Sequence, residues 1–497
     1  MSERTLNEIM DQRKEKIKTL VADGINPYPH NYDRTHLITE ALELFDDLQE
    51  KKGTRLAGRL MSRRVMGKAS FANIMDGSGK LQLYIGRDDI GVDTYMMFKQ
   101  LDIGDFIGVS GELMITRTGE KTLKVHELTL LSKNVRPLPN VKEKDGQMFD
   151  GFEDKEQRYR KRYLDLIVNP DVKETFVKRA KIYKSIRSFF DDSGYLEVET
   201  PILQPLYGGA SARPFKTHHN ALDIELYLRI ADELYLKRLI IGGFEKVFEF
   251  SRNFRNEGMD RTHNPEFTAI EWYEAYVDYF YLMDQVESLF KHLATDLGQS
   301  TFEFNDHEID LTKPFHRATM AELVQKHADI DLSTADAAAL LKVCRANKID
   351  APSDANYGQL LDALFDEMVQ PHLSHPTFVT EYPKAISPLA KEKRESDGTF
   401  VERFELFIAG YEFANAFSEL NDPIDQRERL EAQSALRAAG DEEAQTLDED
   451  FLQAMEYGMP PTGGVGLGLD RLIMMLTGNR SIRDVLLFPQ MRPEVKG

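Results

Sequence analysis

Apolar residues recur at helical spacing through the first 24 positions, as Leu6, Ile9, Met10, Ile17, Leu20 and Val21, and the run ends at Gly24. This predicts an amphipathic helix with a glycine stop, opening a helical docking arm over residues 1–53. From about Thr54 the period falls to two. Alternating runs at Leu56 to Val65, Phe71 to Met75, Leu81 to Ile85, Phe106 to Leu113 and Leu123 to Leu131 are broken by turn signals such as Gly77-Ser78-Gly79. Five strands of this length predict a small β-barrel of OB-fold type over 54–132. Within Leu81 to Ile85, alternation sends Leu81, Leu83 and Ile85 inward and Gln82 and Tyr84 outward. Residues 133–156, with Pro137, Pro139, Gly146, Gly151 and many charges, have the composition of a linker.

Beyond the linker, Pro170 is followed by Val172, Phe176, Val177, Ile182, Ile186, Phe189 and Phe190, one long helix ending at Gly194. Helical and strand patterns then alternate irregularly, not as βαβ units. This favours an α+β domain over 157–497 built on an antiparallel sheet, with a helical insertion at about 317–370.

Two segments carry candidate chemistry. In a strand from Val247 to Glu257, alternation groups Glu249, Ser251, Asn253, Arg255 and Glu257 on one face and Phe248, Phe250 and Phe254 on the other. After a turn through Arg261 and His263, a second strand from Glu266 to about Tyr276 puts Phe267, Ala269, Glu271 and Tyr273 on one face, and Thr268, Ile270 and Trp272 on the other. Arg255 has the fork geometry for a phosphate or carboxylate, Phe267 a flat face for a purine, and Glu257 an acceptor for an exocyclic amine. A salt-bridged amphipathic hairpin has the same pattern, so the hairpin alone leaves both readings open. The second segment, Gly463 to Arg471, alternates glycine with apolar residues and runs into a helix. Glycines on one face let a flat ligand lie on backbone, and Arg471 stands at the positive end of the helix dipole. Its spacing is not the dinucleotide fingerprint.

Composition adds constraints. The formal charge of −20 over 497 residues repels a polyanion, so nucleic-acid binding would need a local basic surface. Residues 51–80 offer Lys51, Lys52, Arg55, Arg59, Arg63, Arg64, Lys68 and Lys80 against one acid, Asp76. Phe71 nearby is either core or a platform for stacking a base beside that charge. The single cysteine, Cys344, excludes an internal disulfide and a cysteine-based metal site. There is no apolar run of signal-peptide or membrane-spanning length, so a cytoplasmic protein without a membrane partner is expected.

Arg255 in Phe-Arg-Asn-Glu, the following His263 and Phe267, and Gly-Leu-Gly-Leu-Asp-Arg471 resemble the second and third signature motifs of class II aminoacyl-tRNA synthetases. The long helix followed by Gly194-Tyr195-Leu196-Glu197-Val198-Glu199-Thr200-Pro201 resembles the first. With an OB-like barrel ahead, the order is that of the lysyl, aspartyl and asparaginyl subgroup, and the resemblance covers nearly the whole chain. Residues 158–166, 208–215 and 228–238 resemble the lysyl branch, of bacterial type because no polybasic N-terminal extension is seen. The resemblance implies ATP-dependent formation of lysyl-adenylate and transfer of lysine to the terminal ribose of tRNA(Lys). ATP would be held by Arg255, Glu257, His263, Asn264, Phe267, Glu405, Glu412 and Arg471, with Arg255 and Arg471 catalytic. Lysine would be held by Gly209, Glu233, Arg255, Glu271, Tyr273, Asn415, Phe417 and Glu419. Glu405 and Glu412 would ligate magnesium, up to three ions, and Arg64, Phe71, Gln82 and Glu127 would read the anticodon. The first motif, including Pro201, would build a homodimer.

A physical check on the amino acid agrees. A cationic side chain needs a desolvated carboxylate at its far end, which Glu419 supplies, whereas an aspartate site needs a cation there. A lysine ligase acting on a protein would lack the barrel, and a silent paralogue would not need Arg255, Glu405, Glu412 and Arg471 together. Two departures stand out: Ala414 and Ala416 replace glycines frequent in the family, and Glu412 has the wrong parity to share a face with Asn415 unless a bulge lies between them.

Overall fold

The computed structural model describes residues 3–139, 142–144, 147–149, 152–351, 355–438 and 444–494. The chain divides into two units, Met1–Glu153 and Asp154–Gly497. Of the linker expected at 133–156, positions 140, 141, 145, 146, 150 and 151 lie outside the described residues.

In the first unit a helix spans Glu3–Ala22 and stops before Gly24, whose φ is +76°. Leu20 joins the barrel core, while Val21, expected on the same apolar face, is exposed. Arg13 bonds the side chain of Asn134, and Lys16 reaches Asp102 at 2.7 Å. The second half of the helix, from Arg13 to Leu20, is therefore bound to the barrel. The barrel strands are β1 (Thr54–Met66), β2 (Ala69–Met75), β3 (Lys80–Gly86), β4 (Phe106–Ile115) and β5 (Lys121–Ser132), closed in the order β1-β2-β3-β5-β4. Leu56, Leu60, Ile74, Leu81, Leu83, Ile85, Val109 and Val125 fill the interior, as period-two alternation requires. Two helices, Arg87–Ile90 and Val92–Gln100, were not foreseen; Tyr95 and Phe98 from the second complete the core. Lys133, placed by composition in the linker, is buried and paired with Asp105 at 2.9 Å, so the first linker residues are fastened to the barrel.

The second unit is built on an eight-stranded sheet. In chain order its strands are β6 (Leu196–Glu197), β7 (Lys246–Phe254), β8 (Glu266–Ala275), β9 (His316–Thr319), β10 (Thr377–Thr380), β11 (Arg403–Ile408), β12 (Tyr411–Ser418) and β13 (Thr462–Gly468). Their spatial order is β9-β10-β11-β12-β13-β8-β7-β6. The six central strands are antiparallel as predicted, but the edge pairs β9·β10 and β6·β7 are parallel. A parallel pair needs a long crossover. For β9 and β10 the helical insertion supplies it, with helices Met320–Ala328, Ala337–Ala346 and Tyr357–Met368. The insertion therefore starts after Thr319, and Arg317–Thr319 is strand. Positions 352–354 lie outside the described residues. Thr319 with Glu322 and Asn356 with Gln359 form capping boxes that fix two of the helix starts.

One sheet face packs against helix α1 (Pro170–Asp192), a helix over Tyr279–Leu297 and the last long helix. Phe248, Ile270, Trp272, Phe404, Val465 and Leu467 meet Ile186, Phe190, Val286 and Phe290 there. The buried Trp272 Nε1 donates to Gln285 Oε1 (2.7 Å), Gln285 Nε2 donates to Tyr195 Oη (2.7 Å), and Tyr195 donates to Glu274 (2.5 Å). The polar atoms of this core are satisfied in a chain, so little is lost by burying them. Ala414 and Ala416 also point into this core. The alternate residues turn to the other face, where the sheet is polar and concave.

Candidate active site

A cavity of about 430 Å³ lies on the polar face of the second unit's sheet. Its floor is set by strand register. One row across five strands runs Glu249, Glu271, Gly466, Asn415, Glu405; the next runs Val247, Tyr273, Gly464, Phe417, Arg403. Glycines thus occupy the middle of both rows, flanked by the side chains expected to hold ligand. Between β11 and β12 the pairing slips, Leu406 facing Ala414 but Phe407 facing Glu412. This is the bulge that the parity of Glu412 and Asn415 demands, and both residues line the cavity.

The nucleotide-type residues gather where β7 ends. That strand stops at Phe254, three residues short of the expected end, so Arg255 and Glu257 stand on the following loop. The Arg255 guanidinium lies 5.1 Å from the centre of the Phe267 ring. Arg255 Nε is buried and has no hydrogen-bond partner among the described residues, a donor aimed at something the protein does not supply. Arg471 lies in the first turn of α2 (Leu469–Thr477) and donates to the Glu412 carbonyl. Burial, and to a lesser degree the charge of Arg255, holds its guanidinium below the usual range, while Glu412 opposes that. Asp470 beside it accepts from Thr268 N (2.7 Å) and pairs with Arg179 of α1 (2.6 Å), which pins the helix start. His263 is exposed on the loop, its Nδ1 2.8 Å from Asp260, and Glu257 lies at the rim; both line the cavity. The buried Asn264 also lines it, but its amide donates to the Glu266 carbonyl (2.6 Å) and shapes the turn. Arg261, on the same turn, is not part of the lining.

The residues expected to hold the amino acid gather at the other end. Gly209 has φ +84°, and a Cβ there would stand 3.0 Å from Glu233 Cβ, so glycine is required at that wall. Tyr273 Oη donates to Glu271 (3.3 Å). Glu419 is fully buried behind the cavity lining, yet its Oε1 lies 2.2 Å from where a Cβ on Gly464 would be, so it overlies that glycine. Neither Glu419 oxygen meets hydrogen-bond geometry among the described residues; Oε2 is in ion-pair contact with Lys237, and Oε1 has neither kind of partner. Burial raises the carboxyls of Asp232, Glu233, Glu249, Glu271 and Glu419 above the usual range. Arg229 pairs with Glu249 (2.6 Å), and Lys237 with Glu233 (2.5 Å) and Glu419.

Arg403 and Gln445 line the cavity and Lys237, Asp232 and Arg229 are buried beside it; pattern reading singled out none of the five. The partly buried Arg403 guanidinium donates to Glu405 (2.5 Å), Asn415 Oδ1 (3.0 Å), the Ile386 carbonyl (3.0 Å) and Ser387 Oγ (3.0 Å). It links the carboxylate at one wall to the amide on the floor. Gln445 accepts from the Gly209 amide (3.4 Å). Only the i,i+4 spacing of Glu233 and Lys237 was a signal available beforehand.

For a metal ion the donor set suits a hard cation. Glu405 and Glu412 bring carboxylate oxygens to one wall, and Glu412 repels the Glu405 carboxyl, a repulsion that a bound divalent cation would relieve. No group of three or more His, Cys, Asp or Glu among the described residues is arranged as a metal site, so further ligands would come from phosphate and water.

On the barrel, register aligns Arg64, Phe71, Tyr84 and Lys124 in one row and Ser62, Asn73, Gln82 and Thr122 in the next. Phe71 is half-exposed on the outer surface, edge-on to Tyr84 at 5.5 Å, and does not belong to the core cluster. Gln82 Oε1 accepts from Thr122 Oγ1 (2.8 Å), and Arg64 is exposed. Glu127 stands apart, paired with Ser110 in the row of Arg55. Of the basic residues in 51–80, Arg59 donates to the Gly104 carbonyl and covers Phe106, and Arg63 caps Phe98 and Lys99. The basic surface is therefore smaller than composition suggested.

The model of the tRNA synthetases class II (D, K and N) matches residues 154–492, and that of the OB-fold nucleic acid binding domain matches residues 54–131. Fold and site together thus define a class II tRNA synthetase. Curated relatives named lysine–tRNA ligase include that of Porphyromonas gingivalis, 52% identical over 97% of this chain and 85% of the relative. The ligase of Moorella thermoacetica is 52% identical over 98% of each chain, and that of Carboxydothermus hydrogenoformans 49% over 99% of this chain and 100% of its own. The chain belongs to the lysine–tRNA ligase family.

Proposed function

We propose that this chain activates L-lysine with ATP, forming lysyl-adenylate and pyrophosphate, and transfers the lysyl group to the 3′-terminal ribose of tRNA(Lys). The observation that carries the reading is a cavity with an unpartnered cationic donor at one end and, buried just behind the lining at the other, a carboxylate oxygen without a partner. Arg255 Nε lies beside Phe267; Glu419 Oε1 lies over Gly464. From Phe267 to Tyr273 along β8 is about 20 Å at about 3.3 Å per residue, room for an adenosine phosphate and an extended amino acid end to end.

The residues divide the work accordingly. Phe267 stacks the purine and Glu257 accepts from its amine. His263 and Asn264 line the phosphate side. Arg255 holds the α-phosphate and the lysine carboxylate in reach of each other, and Asn415, held by Arg403, orients that carboxylate. Gly209, Glu233 and Glu271 receive the α-ammonium, Phe417 packs on the aliphatic stem, and Glu419 with Tyr273 receives the ε-ammonium. The attacking carboxylate is already ionised, so no general base is needed for the first step. Arg255 and Arg471 neutralise the charge that builds on the phosphate. Glu405 and Glu412 would hold magnesium, up to three ions in all with phosphate oxygens, and bound magnesium supplies further charge neutralisation. The nearby cation Lys237 does not favour an acidic substrate, because Glu233 and Glu419 already share it.

The same reading extends to the rest of the chain. Residues 54–132 form the anticodon-binding domain, with Arg64, Phe71 and Gln82 as the reading face and Glu127 at its margin. Residues 1–53 are its helical arm, 133–156 the linker and 157–497 the catalytic domain. Leu196, Ile202, Leu203 and Leu206 are exposed apolar residues flanking Pro201, which supports a homodimer built on that segment. No helix among the described residues is long and apolar enough to cross a membrane, and cytoplasmic location is part of this reading.

The test is lysine-dependent ATP–pyrophosphate exchange by Arg255→Ala. Loss of exchange is expected; near-normal exchange sinks the assignment.

A further inference from the structure

Lys237 lies one turn after Glu233 in the helix Glu233–Ile241, with no accessible surface. Its Nζ is 2.5 Å from Glu233 Oε1, also pairs with Glu419 Oε2, and stands 5.4 Å from the Phe417 ring centre. Glu233, Phe417 and Glu419 all belong to the proposed lysine site, yet a lysine of the protein itself already touches them.

We propose that Lys237 is a positioning residue that determines side-chain specificity: it holds Glu419 by one oxygen, leaves Oε1 for the substrate ε-ammonium, and offsets the charge of Glu233. This inference rests on the lysine-site assignment above.

The charge count makes the case. Glu233, Glu271 and Glu419 carry three negative charges, and Lys237 and the substrate α-ammonium two positive ones, so the site retains a demand for one cation. A lysine side chain meets that demand; a neutral chain of equal length leaves Glu419 Oε1 buried without a donor, which is costly. Without Lys237, Glu233 and Glu419 would face each other, with Asp232 and Glu271 near, in a region that water does not reach. Like charges so placed take up a proton, and a protonated Glu419 would no longer attract an ammonium in preference to a methyl group. Geometry matters as much as charge. Released from Lys237, the Glu419 carboxylate would be free to rotate, and Oε1 would lose its place over Gly464.

The experiment compares the full-length wild type with Lys237→Met, Lys237→Gln, Lys237→Arg and Glu419→Gln. Exchange is measured with lysine and with norleucine, which lacks the ammonium, and circular dichroism checks folding. Lys237→Met and Lys237→Gln are expected to raise the lysine KM about tenfold or more, the scale of losing a buried hydrogen bond to a charged group. The KM for ATP should stay within about twofold, and the preference for lysine over norleucine should narrow by a similar factor. Lys237→Arg, which keeps the charge, should retain most of the lysine affinity and the preference. If Lys237→Met does not fold, the contrast between Lys237→Gln and Lys237→Arg carries the test. A normal lysine KM in the neutral variants, with a raised one in Glu419→Gln, overturns the role of Lys237 alone. Parallel losses in lysine KM, ATP KM and kcat overturn it in favour of a merely structural role. A normal lysine KM in Glu419→Gln overturns the site assignment itself, and the inference with it.

Discussion

Replacing Gly464 with alanine adds one methyl group at the end of the cavity proposed to hold the amino acid. The new Cβ would stand 2.2 Å from Glu419 Oε1, and 2.3 and 2.7 Å from Cε1 and Cδ1 of Tyr273, against about 3.5–4.0 Å for relaxed contact. Gly464 does not have a positive φ, so the effect is steric and not a matter of backbone strain. Little can yield: β13 is paired on both sides, with Tyr273 and with Phe417, and Lys237 holds the Glu419 carboxylate. Overpacking of this kind costs about 1–3 kcal/mol. If the strain is relieved by displacing Glu419, the loss falls on lysine binding, about 5- to 140-fold at about 1.4 kcal/mol per tenfold. The assay is the KM for lysine and for ATP in pyrophosphate exchange, together with thermal unfolding of the unliganded protein. Gly464→Ala should raise the lysine KM, spare the ATP KM and lower the melting temperature. Gly466→Ala is the control, since its Cβ would meet nothing closer than Glu271 Cγ at 3.6 Å and the unliganded protein should melt normally. A Gly464→Ala protein with normal lysine KM and normal melting refutes the reasoning, as does an equal rise in both KM values.

Three further outcomes follow from the same structure. Phe71→Ala should weaken tRNA charging and leave lysine-dependent exchange intact, because the ring lies outside the barrel core; loss of both activities would make it a structural residue. The Glu405 carboxyl is pushed up to about 7, foremost by burial, with Glu412 adding to the rise and Arg403 and Tyr382 opposing it. Below that pH the folded protein holds a proton that a metal ion must displace, so the apparent magnesium affinity should fall by up to about tenfold per pH unit below 7 and level off above it. Magnesium titrations of exchange at pH 6 and pH 8 check this, and identical curves would contradict it. Leu203→Asp, in the exposed apolar segment after Pro201, should convert a dimer to a monomer by light scattering; an unchanged mass would place the interface elsewhere.

Local chemistry and period were sufficient for much of the fold. The five barrel strands, the long helix from Pro170 and the hairpin carrying Arg255 and Phe267 all rest on alternation or on 3.6-residue recurrence, which are properties of contiguous residues. The bulge between Glu412 and Asn415 was legible too, because parity within one strand cannot otherwise put both on one face. The helices at Arg87–Ile90 and Val92–Gln100 were missed, being short and weakly periodic. The parallel edges of the large sheet were missed because strand direction depends on the route of the crossover and not on the strand's own residues.

What the chain determined by itself was therefore, for its strongly periodic segments, which are strand, which are helix, and which face of each is polar; glycines at 464 and 466 and arginines at 255 and 471 could be singled out on that ground. Only the tertiary structure decided which of them share a row. Glu249, Glu271, Gly466, Asn415 and Glu405 come from five strands spread over more than 200 positions, and register alone aligns them. Lys237 and Arg403 were invisible beforehand for the same reason. Each is a charge whose meaning lies in the carboxylates around it, and burial, which makes those pairings strong, exists only once the sheet and helices have closed over them.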